Sequence, residues 1–533
     1  MNEPLGKLMP SKFAVVDLFA GPGGLAEGFS SILGRNGERP FSIELSVEKE
    51  ISAFKTLLLR SFLRQFEQFP AAYYDFLNGS IEEPDWKTLF PDEWNAATQE
   101  TLNLELGSSR AKAEIDLRLD LIKQRFGSNI VLIGGPPCQA YSLVGRARNK
   151  GIVGYKASGD HRHFLYKEYI RILDRVRPAI FVMENVKGLL SSSVNGKKVF
   201  DQVLDDLSAV GDGMYRLVPL LPKSISTSEG KHAPAQDFIV KSEELGLPQA
   251  RHRVIVVGMR QDIFQRLPND HAVSGLLERS ETEVVVRDVL SGMPKLRSGL
   301  SNMEDNGDNW CSEAEKAMKK VARLRPAIPR PEQMAFKSYA ENAIRKVGTS
   351  LGRASRSAGT ISPSCPKELK SWLTDPELIR LPNNETRGHM PSDLARYFFA
   401  SLYGKVMGIS PKAGDYPAEL APDHRNWETG KFADRFRVQL WMRPATTITS
   451  HISKDGHYFI HPDPQQCRSL TVREAARIQT FPDNYFFKGN RTQQYVQVGN
   501  AVPPFLSKKI ADALHKLLEP TTNRRSNSVS SNR

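Results

Sequence analysis

The stretch FAVVDLFAGPGGLAEGF, residues 13–29, decides the fold. Its first seven residues are the apolar, β-branched run of a buried strand. AGPGG then turns the chain into a helix with Leu25, Phe29 and Leu33 on one face. Glycines let a ligand approach the backbone closely, and the start of a helix presents free N–H groups, so the junction is suited to a nucleotide-like ligand. Gly21, Gly23 and Ala26 fit the loose G-x-G-x-x-G/A pattern that nicotinamide dehydrogenases also carry. A plain packing turn has the same spacing, and all three readings stay open on this stretch alone. An acid at the end of the next strand, Glu48 or Glu44, is placed to accept hydrogen bonds from ribose hydroxyls.

Four further runs read as buried strands: FSIELSV (41–47), NIVLIGG (129–135), AIFVMEN (179–185) and VIVVGM (254–259). Between them, Val47, Ile51, Phe54, Leu58 and Phe62, and again Leu165, Tyr169, Ile172 and Val176, recur at the three- and four-residue spacing of amphipathic helices. Strands alternating with helices give an α/β class with a largely parallel, Rossmann-like sheet covered by helices on both faces. From 263 to 440 the texture changes to Pro, Arg and Ser with short irregular elements, a second, smaller domain or a large insertion. Thr471 and Glu474, three residues apart, predict a capping box that opens a helix. The apolar-poor tail 520–533 is expected to be disordered, and no internal repeat is present.

The chain has 533 residues, 40% hydrophobic and 25% charged, with a mean hydropathy of −0.40, enough to bury a large core. No apolar run reaches the length of a membrane span, and the first residues lack the core of a signal peptide, so a cytoplasmic protein without a membrane partner is expected. The four cysteines, Cys138, Cys311, Cys365 and Cys467, are too scattered for a disulfide scaffold or a paired-cysteine metal site. Lys and Arg number 73 against 60 Asp and Glu, a net +13. The excess is concentrated: Lys316 to Arg356 holds 11 Lys and Arg against two acids, Glu332 and Glu341. Such a cluster is expected to track phosphates, because it gains affinity by releasing the counterions condensed on nucleic acid.

Three other blocks carry chemistry. In GGPPCQAYS (134–142), which follows a strand, two prolines stiffen the backbone before Cys138 and display its thiol where parallel sheets bind ligands. Covalent catalysis needs such a group and a dehydrogenase does not. In MENVKG (183–188), Glu184 ends an apolar strand, where a carboxylate is costly without a partner or a task. In QARHR (249–253), Gln249, Arg251 and Arg253 alternate onto one face. These arginines either pair with Glu184 or hold a ligand.

With DLFAGPGG (17–24), PPCQAYS (136–142), ENVKG (184–188), QARHR (249–253), RSLTVREAARIQTFPD (468–483) and QVGNAVPP (497–504) in this order, the chain resembles the S-adenosylmethionine-dependent DNA (cytosine-5)-methyltransferases of bacterial type. The resemblance implies a catalytic domain over 11–262, a target-recognition domain over 263–466, and a return to the catalytic domain over 467–519. It implies Cys138 as the nucleophile that adds to cytosine C6. Glu184 would contact the base's N3 and amine and be able to share a proton, Arg253 would hold the carbonyl O2, and Arg251 would support it. Phe19, Ala20, Gly21, Gly23, Gly24, Glu48, Asn500 and Ala501 would hold S-adenosylmethionine. Gln139, Ser142 and Gln249 would touch the flipped nucleotide. Two positions depart from the pattern: Lys49 stands where relatives often have an aromatic or apolar residue, and Ser80 in the expected place of an acid. The implied partners are double-stranded DNA and a separately encoded restriction endonuclease, the enzyme itself acting as a monomer without a metal. An RNA cytosine-5 methyltransferase and a catalytically silent DNA-binding relative are the competing readings.

Overall fold

Strict alternation assigns each residue of the first strand to one of two cores. In β1 (Phe13–Leu18), Phe13 and Val15 join one apolar cluster, and Ala14, Val16 and Leu18 join the other. A strand buried on both faces must be largely apolar, and β1 is so at every position but Asp17, which is why the run was legible. The computed structural model describes residues 12–35, 37–137, 164–194, 196–221, 233–265, 275–348, 351–423, 427 and 435–518. Cys138, Gln139, Ser142 and the tail from 520 lie outside them.

The main sheet contains β1, β2 (Phe41–Glu48), β3 (Thr101–Asn103), β4 (Ile130–Gly134), β5 (Ile180–Val186), β6 (Tyr215–Val218), β7 (Ile239–Lys241) and β8 (His252–Arg260). The spatial order is β3-β2-β1-β4-β5-β8-β6, with β7 also on β8. The pairs from β3 to β5 are parallel, and β8 runs antiparallel to β5, β6 and β7. The order reverses between β1 and β4, and sheets of this kind bind ligands outside the carboxyl ends of the strands at that switch point. Gly134 makes the close pairing possible: a Cβ there would lie 2.5 Å from the Leu18 carbonyl oxygen.

Helix α1 (Gly24–Ser30) buries Leu25 and Phe29. It ends three residues before Leu33, which is 62% exposed instead of completing the predicted stripe. Helix α2 (Ile51–Arg64) likewise leaves Ile51 exposed and buries Leu57, Leu59, Phe62 and Leu63. Between α2 and β3 come α3 (Ala71–Asn78) and α4 (Pro91–Glu100), which build an aromatic cluster around Phe62, Tyr73 and Trp86. Helices α5 (Ser109–Phe126), α6 (Phe164–Val176) and α7 (Val199–Gly213) cover the second face of the sheet. All four residues of the predicted α6 stripe are buried.

The region from 263 to 440, expected to be irregular, contains three long helices: α8 (Gly307–Ala322), α9 (Arg330–Lys346) and α10 (Pro391–Met407). They enclose a separate core around Trp310, Phe336 and Phe398. The chain then returns through α11 (Val472–Ile478), α12 (Arg491–Asn500) and α13 (Pro504–Leu518). Helix α13 packs on α1, and Ser507 Oγ donates to the Leu25 carbonyl at 2.7 Å. The predicted capping box opens α11: Glu474 N–H donates to Thr471 Oγ1 at 3.1 Å, and Thr471 N–H donates to Glu474 Oε2 at 2.8 Å. Among the described residues no helix is long and apolar enough to cross a membrane.

Candidate active site

The loops after β1 and β4 meet at the switch point, and each brings one half of the site. After β1 the backbone enters left-handed conformations at Phe19, Gly21 and Gly23, with φ of 58°, 58° and 100°. Space at the three glycines differs. A Cβ on Gly21 would meet nothing within 4 Å, so the loop faces open space there, whereas one on Gly24 would lie 2.2 Å from the Val502 carbonyl oxygen. The chain's last block is thus seated on the glycine loop, with Ala501 buried and Asn500 exposed beside it. Because that neighbour is backbone and cannot step aside, Gly24→Ala is expected to cost roughly 1–3 kcal/mol, read as a lower urea midpoint at unchanged slope.

Glu48 ends β2 and closes the loop from the side. Its Oε2 accepts the Gly21 N–H at 2.8 Å and its Oε1 accepts the Glu50 N–H at 2.7 Å. Burial raises its pKa above the usual carboxylate value. Each oxygen keeps a lone pair for a further donor such as a ribose hydroxyl. Lys49 points away to an exposed ion pair with Glu105 at 3.1 Å. Ser80, thought to stand for an acid beside the cofactor, lies exposed just past the end of α3. The strand beside β2 is instead β3, so Asn103 and Glu105 occupy that edge; Asn103 Nδ2 donates to the Glu48 and Lys49 carbonyls at 2.9 and 3.1 Å. Asp17, which the sequence reading does not single out, is fully buried in β1, with no side-chain partner for its carboxylate among the described residues. Burial pushes its pKa well above the ordinary value. An acid inside an apolar strand was the available signal.

The other half is built where β5 and β8 run antiparallel. Arg253 Nε and Glu184 Oε1 are 2.8 Å apart, with side chains 14% and 13% exposed. The loop after β4 lies against this pair: a Cβ on Gly135 would be 3.2 Å from Glu184 Oε2, and Asn185 Nδ2 donates to the Pro136 carbonyl at 2.9 Å. Residues 135–137 therefore deliver the chain to the edge of the Glu184–Arg253 pair one residue before Cys138.

Arg251 and Gln249 do different work from Arg253. Arg251 is 1% exposed, and its guanidinium donates to the carbonyls of Ile448 at 2.8 Å, Ala501 at 2.9 Å and Gly499 at 3.3 Å. Burial without a carboxylate in contact holds its pKa well below the usual arginine value, and the Arg253 charge adds to this. Gln249 accepts the Ile448 N–H at 2.7 Å and donates to Gln479 Oε1 at 2.6 Å; Gln479 in turn donates to the Val498 carbonyl at 2.6 Å. Both residues tie the β8 edge to the chain's last block and have their polar groups turned inward. The block 468–483 is a second brace: Arg468 clamps Glu474 through two bonds of 2.7 Å and Arg477 clamps Asp483 at 2.8 and 2.7 Å, all buried. In the basic run, Lys316, Lys319 and Lys337 pair with Glu313, Glu315 and Glu341 of their own helices. Among the described residues no cluster of His, Cys, Asp and Glu is arranged to hold a metal ion.

The family model for the C-5 cytosine-specific DNA methylase matches residues 76–516. A protein named type II methyltransferase M.Bpa9945I, from Bacillus paralicheniformis, is 32% identical over 525 residues, covering 95% of this chain and 99% of that one. Type II methyltransferase M.AgeI, from Thalassovita gelatinovora, is 26% identical over 539 residues, covering 94% and 98%. DNA (cytosine-5-)-methyltransferase M.ApeKI, from Aeropyrum pernix, is 27% identical over 417 residues, covering 73% and 81%.

Proposed function

The chain belongs to the C-5 cytosine-specific DNA methylase family, and on that premise we propose that it methylates C5 of a cytosine turned out of a specific double-stranded DNA sequence, through a covalent bond between Cys138 and C6. The observation that carries this reading is the Glu184–Arg253 pair at 2.8 Å, set against the loop that leads into Cys138. S-adenosylmethionine supplies the electrophilic methyl group. Phe19, Ala20, Gly21, Gly23, Gly24 and Glu48, with Asn500 and Ala501 from the returning chain, would hold it. The open space over Gly21 and the spare lone pairs of Glu48 fit such a ligand.

Cytosine C5 is a weak nucleophile until a thiolate adds at C6. In the proposed sequence the Cys138 sulfur bonds to C6, and the ring becomes an enamine whose C5 would take the methyl group as the donor's sulfonium S–CH3 bond breaks, leaving S-adenosylhomocysteine. A base or water then removes the C5 proton, and the returning electron pair expels the Cys138 thiolate. Glu184 contacts N3 and the exocyclic amine, where it can hold or share a proton as the ring's charge changes. Arg253 keeps a guanidinium at O2 while orienting Glu184. Gln139 and Ser142 follow the nucleophile in sequence and are assigned to the flipped nucleotide. Turning the base out costs a few kcal/mol, about what contacts to the extruded base and phosphates return. Relatives named as type II methyltransferases make a restriction endonuclease of the same specificity the expected biological companion.

Bisulfite sequencing of DNA from a host expressing the protein will read out the methylated sequence. A duplex carrying 5-fluorocytosine at that target then tests the chemistry, because fluorine blocks the proton loss that releases the enzyme. An adduct surviving denaturing electrophoresis is expected for the wild type with S-adenosylmethionine and not for Cys138→Ser. No adduct with folded, cofactor-loaded wild type would overturn the covalent route.

A further inference from the structure

Glu44, the second acid that the sequence offers for the ribose, stands away from the glycine loop. It lines a separate cleft of about 570 Å3 at the amino end of β2, roughly 13 Å along the strand from Glu48. The methyl-transfer chemistry makes no use of this cleft. Its walls are the start of β2, the last residues of α2 and α4, and one side of α5. Phe41, Ile43 and Ile122 give it a buried apolar floor.

Around that floor stand five cations, Lys12, Arg39, Arg64, Arg118 and Arg125, and two acids, Glu44 and Glu100, a surplus of three positive charges. Both acids are already engaged. Glu44 accepts Arg125 Nη1 at 3.1 Å and Ser42 Oγ at 2.7 Å, and Glu100 accepts Arg64 Nη2 at 2.6 Å. Arg39 and Arg118 have no carboxylate partner among the described residues; each gives an N–H to one helix-end carbonyl, of Arg64 at 3.4 Å and of Gln99 at 3.3 Å. Most of their donors stay uncommitted. Arg64 is nearly enclosed, its side chain 8% exposed, and its Nε and Nη1 have no hydrogen-bond partner among the described residues. Cations gathered over an apolar floor raise one another's potential, so an anion that settles among them is held more strongly than on open surface. Planar guanidiniums favour phosphate oxygens, and the cleft falls within the roughly 300–1,000 Å3 of small-ligand sites. Three surplus charges match a di- or polyphosphate better than a singly charged carboxylate.

We propose that this cleft is a second binding site, separate from the methyl-transfer site, for a small anion carrying a di- or polyphosphate group, with Arg39, Arg64 and Arg118 as its principal donors. The test is calorimetric titration of pyrophosphate into the full-length protein at low salt. Wild type should bind, and Arg39→Gln/Arg118→Gln should bind about tenfold or more weakly, since each arginine gives charge-assisted hydrogen bonds. The charge-matched pair Lys112→Gln/Lys123→Gln, exposed on α5 and outside the cleft, should keep wild-type affinity. An unchanged urea midpoint shows that a variant is folded; if the arginine pair is not, Lys12→Gln supplies the same comparison with a several-fold loss. No binding by wild type, or equal binding by wild type and the cleft variants, overturns the site. Anisotropy with a short duplex separates a free phosphate ligand from a nucleic-acid backbone. The two double variants should bind the duplex alike, and a loss confined to the arginine pair would give the cleft to nucleic acid and overturn the small-anion site. None of these readings depends on whether Cys138 forms a covalent bond.

Discussion

Cys138→Ala is expected to lose methyl transfer by roughly 10⁴-fold or more while still binding its DNA and cofactor. Methylation is read by tritium transfer from labelled S-adenosylmethionine, and binding by anisotropy at matched salt. The split follows from the division of labour at the switch point. Glu184 and Arg253 stand on β5 and β8, and the glycine loop and Glu48 stand on β1 and β2. Both groups are held by partners among the described residues: Glu184 by Arg253, and Glu48 by the Gly21 and Glu50 N–H groups. Substantial residual turnover in the variant would mean that the ring is activated without a covalent bond, leaving Glu184 to carry the reaction as a general acid, an effect of about 10²–10⁴.

The second large effect concerns stability. Glu474→Gln is expected to destabilise the fold by about 3–5 kcal/mol, because Arg468 would be left charged, buried and without its carboxylate. The Arg468 side chain is 0% exposed and Glu474 1%. With total stabilities of about 5–15 kcal/mol, such a loss shifts the urea midpoint far enough to be unmistakable. Replacing both residues by apolar ones of similar volume should cost much less, since the desolvation penalty then disappears with the attraction. The pair also sets a pH response. The Arg468 and His461 charges overcome burial and pull the Glu474 pKa from 4.5 to about 2. A depressed carboxylate gives stability that is present above about pH 4.5 and lost as pH falls toward 2. His461, lowered to about 4 by burial and the Arg468 charge, acts in the same direction over its own window. The unfolded chain protonates that histidine first, so stability declines as pH falls from about 6.5 to 4. Acid titration of the wild type should therefore show loss beginning below neutrality and steepening below pH 4.5. In Glu474→Gln the steeper phase should be reduced.

Four of the five long strands were legible as mostly apolar, β-branched runs buried on both faces, and β2 as an alternation of buried Phe41, Ile43 and Leu45 with half-exposed Ser42 and Glu44. The glycine loop, Glu48, Glu184 and Arg253 were legible because their residue types are out of place at strand ends unless something uses them. What was missed has physical reasons. Strand β3 is three residues long and follows a helical insert with its own aromatic core, so no periodicity announces it, and Ser80 was assigned to an edge that Asn103 and Glu105 occupy. Arg251 and Arg253 look equivalent by alternation, but the partners of Arg251 are backbone carbonyls 197 to 250 residues away, which no local pattern reveals. The basic run counts only two acids because Glu313 and Glu315, which neutralise Lys316 and Lys319, stand just before its first lysine.

The hydrogen bond from Ser507 to Leu25 spans 482 positions of the chain, and the Gly24–Val502 packing spans nearly as many. During translation, at roughly 5–20 residues per second, the nascent polypeptide must wait roughly 25–100 s between emergence of its first loop and arrival of the segment that completes it. A product ending before Val502 would leave the first loop without the backbone that packs against Gly24.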